Sequence, residues 1–127
     1  MLHVIQALYV GIGGFCGAIL RYLISLKFVG TKFPFGTLVV NIIGGVLIGF
    51  VMEMSIRTDS ISNNLKLFLT TGLMGGLTTF STFSFETVKF FDSGNYILFG
   101  LNILFNFTLS ILGVFVGRAL CRHFIAI

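Results

Sequence analysis

The sequence contains very few charged residues. Only 9% of its 127 residues are Asp, Glu, Lys or Arg, whereas a soluble domain carries roughly 25%. Eight basic and four acidic side chains cannot cover the water-exposed surface of a chain that is 56% hydrophobic. The scarcity of charge therefore excludes an ordinary soluble domain and indicates a membrane protein.

Proline is also scarce, with one residue against sixteen glycines. The glycines lie inside apolar runs without a triplet period, which excludes a collagen-like or disordered chain. A membrane-spanning helix needs about 20 apolar residues, so a chain of this length accommodates four spans. We predict a single membrane domain over residues 1–127, with spans at 4–26, 35–54, 65–91 and 96–121.

The apolar runs are continuous, which predicts an all-α membrane protein and excludes a β-barrel, whose strands alternate apolar and polar residues. The first run lacks a preceding basic region and is too long for a signal peptide, so we expect a retained first helix. The third span is crowded with glycine and hydroxyl residues. Gly75 and Gly76, followed by Leu77, Thr78 and Thr79, predict a helix that is broken near its middle.

The basic residues divide evenly between the two ends of the predicted bundle. One end carries Arg57, Lys66, Arg118 and Arg122, and the other carries Arg21, Lys27, Lys32 and Lys89. Lys/Arg asymmetry normally orients a membrane protein, and none is present here. Either the true span ends differ by a few residues and hide a bias, or the chain inserts in both orientations and two opposite copies pair.

Each predicted span contains one pair of glycines separated by three residues. The pairs are Gly13 and Gly17, Gly45 and Gly49, Gly72 and Gly76, and Gly113 and Gly117. Such pairs allow helix backbones to approach closely in a bilayer. They favour an assembly of several copies, although packing within one subunit also explains them.

Polar side chains inside the spans are candidates for a functional site, because polar groups at membrane depth usually face a partner or a cavity. Phe80 and Phe83 share a helical face, where they either pack or border an anion pathway with the positive edges of their rings. Asn41 either donates to an anion or bridges helices. A further polar stripe recurs every four residues in the fourth span: Asn102, Asn106 and Ser110.

Several function classes are disfavoured by what the spans lack. Glu53 lies near a span end and Glu86 in the last third of its helix, so the deep carboxylate of a proton-coupled exporter is missing. We expect no enzyme, since no nucleophile, base and orienting residue group together. The net charge of +4 is spread over several loops and predicts no nucleic-acid partner.

Three segments resemble a known family in order and spacing. They are GGFCGAILRY (13–22), FGTLVVNIIG (35–44) and GLMGGLTTFSTFSFE (72–86). These segments look like the successive signatures of the Fluc/CrcB fluoride channels, and the third is highly specific. The fourth span matches only in character.

The resemblance implies an antiparallel, dual-topology homodimer in the cell membrane of a prokaryote. Such a protein is a multi-pass, passive channel that exports fluoride and so lowers its cytoplasmic concentration and toxicity. A structural sodium ion at the dimer centre is implied as its cofactor. The implied partners are fluoride, a second copy of the chain and the lipid bilayer.

The resemblance also assigns roles to nine residues of this sequence. The implied anion pathway consists of Asn41, Phe80, Ser81, Thr82, Phe83 and Ser110. Arg21 matches a basic vestibule residue, and an interfacial anchor is its other interpretation. The backbone carbonyls of Gly75 and Thr78 would hold the sodium ion. The alternative function is a small multidrug-resistance-type proton-coupled exporter, which also has four short spans.

Overall fold

The computed structural model describes residues 1–125, and within that range it contains helices and turns but no strand. The elements are α1 (Leu2–Leu26), α2 (Phe35–Arg57), α3 (Asn63–Leu67), a π-helix (Phe68–Met74), α4 (Gly75–Leu77), α5 (Phe80–Asp92) and α6 (Tyr96–Phe124). Three of these helices, α1, α2 and α6, are long and apolar enough to cross a membrane. The predicted all-helical architecture is confirmed, and it is consistent with a membrane protein.

The long helices extend slightly beyond the predicted spans. α2 continues to Arg57 rather than ending at residue 54, and the backbone N–H of Thr58 still donates to Met54 O at 2.9 Å. α3 begins at Asn63 because the Ser62 hydroxyl accepts a hydrogen bond from the N–H of Leu65 at 3.2 Å. This N-cap satisfies one of the donors that a helix start leaves unpaired. Backbone and side-chain hydrogen bonds therefore determine where these helices begin and end, whereas hydropathy locates the ends only approximately.

The glycine pairs of α1 and of the predicted third span pack against each other. A Cβ added at Gly72 would meet Val10 O at 2.8 Å, and one added at Gly76 would meet Gly14 O at 2.5 Å. Conversely, a Cβ at Gly13 or Gly17 would collide with carbonyl oxygens of the π-helix. Only glycine allows the two backbones to approach this closely.

The remaining two glycine pairs allow α2 and α6 to pack closely in the same way. A Cβ at Gly45 would meet Ser110 O at 2.5 Å, and one at Gly113 would meet Ile42 O at 3.1 Å. Gly49 and Gly117 are equally enclosed by the backbone of the opposite helix. All four pairs therefore serve packing within one chain, which is the second of the two explanations that the sequence left open.

The predicted third span is interrupted at two threonines. Thr78 (φ −83°, ψ 156°) and Thr79 (φ −149°, ψ 122°) are extended between α4 and α5. Gly75 and Gly76 themselves remain helical, since Gly76 lies against the backbone of α1. The Thr79 hydroxyl caps α5 by accepting a hydrogen bond from the N–H of Thr82 at 3.1 Å. The interruption places a polar stretch of backbone beside α2.

Candidate functional site

A cavity of about 520 Å³ lies beside the interruption, between α2, α5, α6 and the segment that precedes Thr78. Six of the nine residues to which the sequence assigned a role line it: Asn41, Gly75, Thr78, Phe80, Phe83 and Ser110. Much of the remaining wall is apolar. The folded chain thus brings residues from three predicted spans to one cavity.

Two phenylalanines of α5 form one wall of this cavity. Their ring centroids are 5.5 Å apart with an angle of 55° between the ring planes. Phe83 is buried and meets Phe107 of α6 edge-on at 5.8 Å, whereas Phe80 is 71% exposed on the single chain. Tilted rings direct some of their positive edges toward a neighbouring group, so this wall can favour an anion without carrying a charge.

Ser110 contributes an unpaired hydroxyl to the same cavity. Its Oγ atom is buried and has no hydrogen-bond partner within residues 1–125. A buried hydroxyl without a partner is costly, and such groups commonly mark a binding position. This O–H is available as a donor to an anion in the cavity.

Asn41 is fully engaged with protein groups. Its Oδ1 accepts a hydrogen bond from the N–H of Thr79 at 2.9 Å, and its Nδ2 donates to Thr79 O at 3.2 Å. Nδ2 also donates to Asn106 Oδ1 at 3.0 Å. Of the two roles that the sequence left open, the single chain therefore exhibits the helix bridge, in which Asn41 pairs both polar groups of the interrupted backbone.

The polar stripe of α6 extends this bridge. Asn106 Nδ2 donates to Asn102 O at 2.9 Å and to Asn102 Oδ1 at 3.0 Å. Asn102 Nδ2 donates to Thr87 Oγ1 at 2.9 Å, and the Thr87 hydroxyl donates to Phe83 O at 2.7 Å. A continuous polar network thus joins α2, α6 and α5, and it orients the helix that carries Phe83. Sequence reasoning placed the asparagines on one face, but it missed Thr79 and Thr87 as their partners.

The interruption also redirects the donors of two backbone carbonyls. In an α-helix the carbonyl of Gly75 would accept from the N–H of Thr79, which here donates to Asn41. The carbonyl of Thr78 would accept from the N–H of Thr82, which here donates to the Thr79 hydroxyl. Both carbonyls therefore lose their usual helical partner, and oxygen atoms of this kind suit a hard cation.

A second cavity of about 420 Å³ lies on the other side of Thr79 and is more polar. Arg21 and Thr82 line it, together with Glu86, whereas Ser81 is exposed outside the lining of both cavities. The Thr37 hydroxyl donates to Glu86 Oε1 at 2.7 Å, and Glu86 Oε2 is buried without a partner within the described residues. Sequence reasoning missed the contact between Thr37 and Glu86 because 49 residues separate them.

Comparison with known proteins identifies the family to which this arrangement belongs. Residues 8–118 match the family model described as CrcB-like protein, Camphor Resistance (CrcB). The chain belongs to the CrcB family. The resemblance that the sequence carries in its three signature segments is thereby confirmed.

Proteins with similar sequences are named fluoride-specific ion channel FluC. The protein of Clostridium perfringens is 54% identical over 125 residues, covering 96% of this chain and 98% of its own length. That of Clostridium novyi is 52% identical, with coverages of 94% and 96%. That of Geobacter sp. strain M21 is 43% identical, with coverages of 91% and 98%. These names describe ion channels, which are not a class of enzyme.

Proposed function

We propose that this chain forms a fluoride-specific ion channel in a bacterial cell membrane. It lets fluoride leave the cytoplasm passively and so limits its toxicity. The observation that supports this proposal is a cavity lined by Phe80, Phe83 and Ser110, whose buried hydroxyl has no partner within residues 1–125. The names of the relatives supply fluoride as the ion.

The chemistry of the cavity suits a small, strongly hydrated anion. A channel must replace the water around the ion with hydrogen-bond donors, and the Ser110 hydroxyl is one. The ring edges of Phe80 and Phe83 add weak positive potential without a fixed charge that would trap the ion. We therefore assign the anion pathway to the larger cavity. Thr82, which lines the smaller cavity, and Ser81, which lines neither, are proposed to form a polar track on α5 outside the larger cavity. Arg21 draws anions toward the smaller cavity.

The functional form is proposed to be an antiparallel homodimer with dual topology. The even division of basic residues between the two ends supports insertion in both orientations. Because the glycine pairs are buried in contacts between helices of one chain, a second copy must bind at another surface. The exposed Phe80 beside the larger cavity offers such a surface, and a second copy there would enclose the pathway.

A structural sodium ion is proposed to bind at the carbonyls of Gly75 and Thr78. The support for this site is that both carbonyls lose their usual helical donors and that both residues line the larger cavity. Sodium would supply a fixed positive charge beside the interruption. Two carbonyls are too few for a complete ligand set, so copies of the same atoms in a second chain would complete it.

We do not favour the proton-coupled exporter. Its carboxylate would be expected at the middle of the membrane, whereas Glu86 bonds Thr37, the third residue of α2. The three relatives also carry the name of a channel.

Fluoride efflux from vesicles that contain only this chain tests the proposal. The parent protein is expected to release fluoride and to retain chloride, followed with ion-selective electrodes. Phe80→Ile is expected to slow fluoride release by about tenfold, equivalent to about 1.4 kcal/mol in the barrier. Phe85→Ile is the matched control, because Phe85 is also exposed on α5 and lies outside the lining of both cavities. Equal release of the two halides, or undiminished fluoride release by Phe80→Ile, would contradict it.

A further inference from the structure

A cluster of charged side chains lies apart from both cavities, at the end of the bundle where α2 and α6 finish. Its centre is Glu53, which is only 5% exposed. Glu53 Oε1 accepts hydrogen bonds from Arg57 Nε and from Arg122 Nε, the latter at 2.7 Å. Glu53 Oε2 accepts from Arg118 Nε at 3.3 Å. One carboxylate thus holds three guanidinium groups together.

The arginines use only part of their binding capacity in these contacts. Every hydrogen bond to Glu53 comes from Nε, and within residues 1–125 the terminal Nη atoms donate no hydrogen bond. The side chains of Arg57, Arg118 and Arg122 remain 36%, 43% and 48% exposed. Three guanidinium groups around one carboxylate leave a net charge of +2, and a further anion bound there would reduce their mutual repulsion.

The position of the cluster, at helix ends beside exposed aromatic surface, suits contact with a membrane lipid. Arg57 is the last residue of α2, and Arg118 and Arg122 lie in the final turns of α6. Phe115 precedes Arg118 by one turn, is 58% exposed, and its ring centre lies 6.0 Å from Arg118 Cζ. Because residues 115, 118 and 122 share one face of α6, exposed aromatic surface leads directly to the exposed guanidinium groups.

We propose that Arg57, Arg118 and Arg122, held together by the buried Glu53, bind the phosphate group of an anionic phospholipid. The terminal nitrogens of a guanidinium group match the oxygens of a phosphate in pairs, which favours phosphate over a monatomic anion. Basic pockets at the ends of membrane helices recognise lipid headgroups of this kind. The exposed surface around Phe115 accommodates an acyl chain of the same molecule.

Native mass spectrometry of the purified chain in detergent tests this site. The probes are dioleoyl phosphatidylglycerol and dioleoyl phosphatidylcholine, which share acyl chains and differ in headgroup charge. The parent protein is expected to retain phosphatidylglycerol at least fivefold more tightly than phosphatidylcholine. Arg118→Gln is expected to weaken binding of phosphatidylglycerol by about fivefold, the usual effect of one basic residue at a membrane surface, without changing binding of phosphatidylcholine.

Arg118 is the position of choice because its contact with Glu53 is longer than that of Arg122, and Glu53 keeps two partners after the substitution. Lys66→Gln is the matched control, since it removes one positive charge from the end of the bundle that also carries Arg57. It is expected to leave the lipid preference unchanged.

Three outcomes would overturn the proposal. The first is equal retention of the two lipids by the parent protein. The second is an equal loss of phosphatidylglycerol binding in Arg118→Gln and Lys66→Gln. Displacement of the lipid by inorganic phosphate at equimolar concentration would assign the site to free phosphate instead of a membrane lipid. Retained preference in the parent, lost in Arg118→Gln and resistant to inorganic phosphate, supports the proposal.

Discussion

Asn41 is expected to hold the helix interruption in place, and its replacement tests how strongly. The substitution Asn41→Leu keeps a side chain of similar size and removes all three hydrogen bonds that the amide makes. The N–H of Thr79, a residue that is only 8% exposed, and Asn106 Oδ1 would then lose their partner, and the carbonyl of Thr79, the N-cap of α5, would lose one of its donors.

The expected loss of stability follows from these three groups. A buried polar group left without a partner costs about 1–3 kcal/mol, and side-chain hydrogen bonds in membrane proteins average about 0.6 kcal/mol. At about 1 kcal/mol each, Asn41→Leu should reduce the free energy of unfolding by about 3 kcal/mol. Fluoride efflux should fall as well, because Phe80 and Phe83 follow the loosened segment.

Unfolding in mixed micelles, followed by circular dichroism as the fraction of sodium dodecyl sulfate rises, measures this change. Thr108→Val is the matched control, since the exposed Thr108 hydroxyl bonds only Leu104 O of its own helix. That control should change the free energy of unfolding by less than about 0.5 kcal/mol. The double variant Asn41→Leu/Asn106→Leu should lose less than the sum of the single losses, because one bond is shared. An unfolding free energy of Asn41→Leu within about 0.5 kcal/mol of the parent would refute the role of Asn41.

Two further substitutions probe the packing and the pathway. Gly17→Ala should destabilise the chain by about 1–3 kcal/mol in the same unfolding assay, because its Cβ would overlap Leu73 O. Gly11→Ala is the matched control on the same helix, because a Cβ added there meets no atom within 4 Å, and it should be tolerated. Equal losses of stability in the two variants would disprove the close approach of α1 to the π-helix. Ser110→Ala should slow fluoride efflux by roughly tenfold, as expected for the loss of one hydrogen bond to a charged ion. Ser84→Ala is the matched control, because the Ser84 hydroxyl donates to Phe80 O of its own helix, and its efflux should stay within about twofold of the parent's. An equally small effect of Ser110→Ala would contradict the role of Ser110 in the pathway.

The helical architecture was predictable because it depends on local properties of the chain. Runs of about 20 apolar residues specify helices wherever lipid replaces water, since backbone groups must then pair within the segment. The glycine pairs likewise predicted close helix contacts, and each pair lies in such a contact. Which helices meet was not predictable from the pairs, because a stripe of small residues carries no information about its partner.

The interruption illustrates where local reasoning stops. Glycines at 75 and 76 predicted a break, and the extended residues are Thr78 and Thr79, a few positions later. The shift depends on distant groups, since Gly76 is held helical against α1 while Asn41 of α2 supplies the hydrogen bonds that Thr79 needs. Neither contact is visible in the sequence around the break.

By itself, the sequence determined that this protein is helical, that it suits a membrane, and that it belongs with the CrcB family, because hydropathy and short motifs are properties of contiguous residues. Only the tertiary structure decided which polar groups remain free. It paired Asn41 with the interrupted backbone, left the buried Ser110 hydroxyl beside the larger cavity without a partner among residues 1–125, and gathered three arginines around Glu53. A hydrogen bond that satisfies one donor removes it from binding, and that competition is resolved only when residues distant in sequence come into contact.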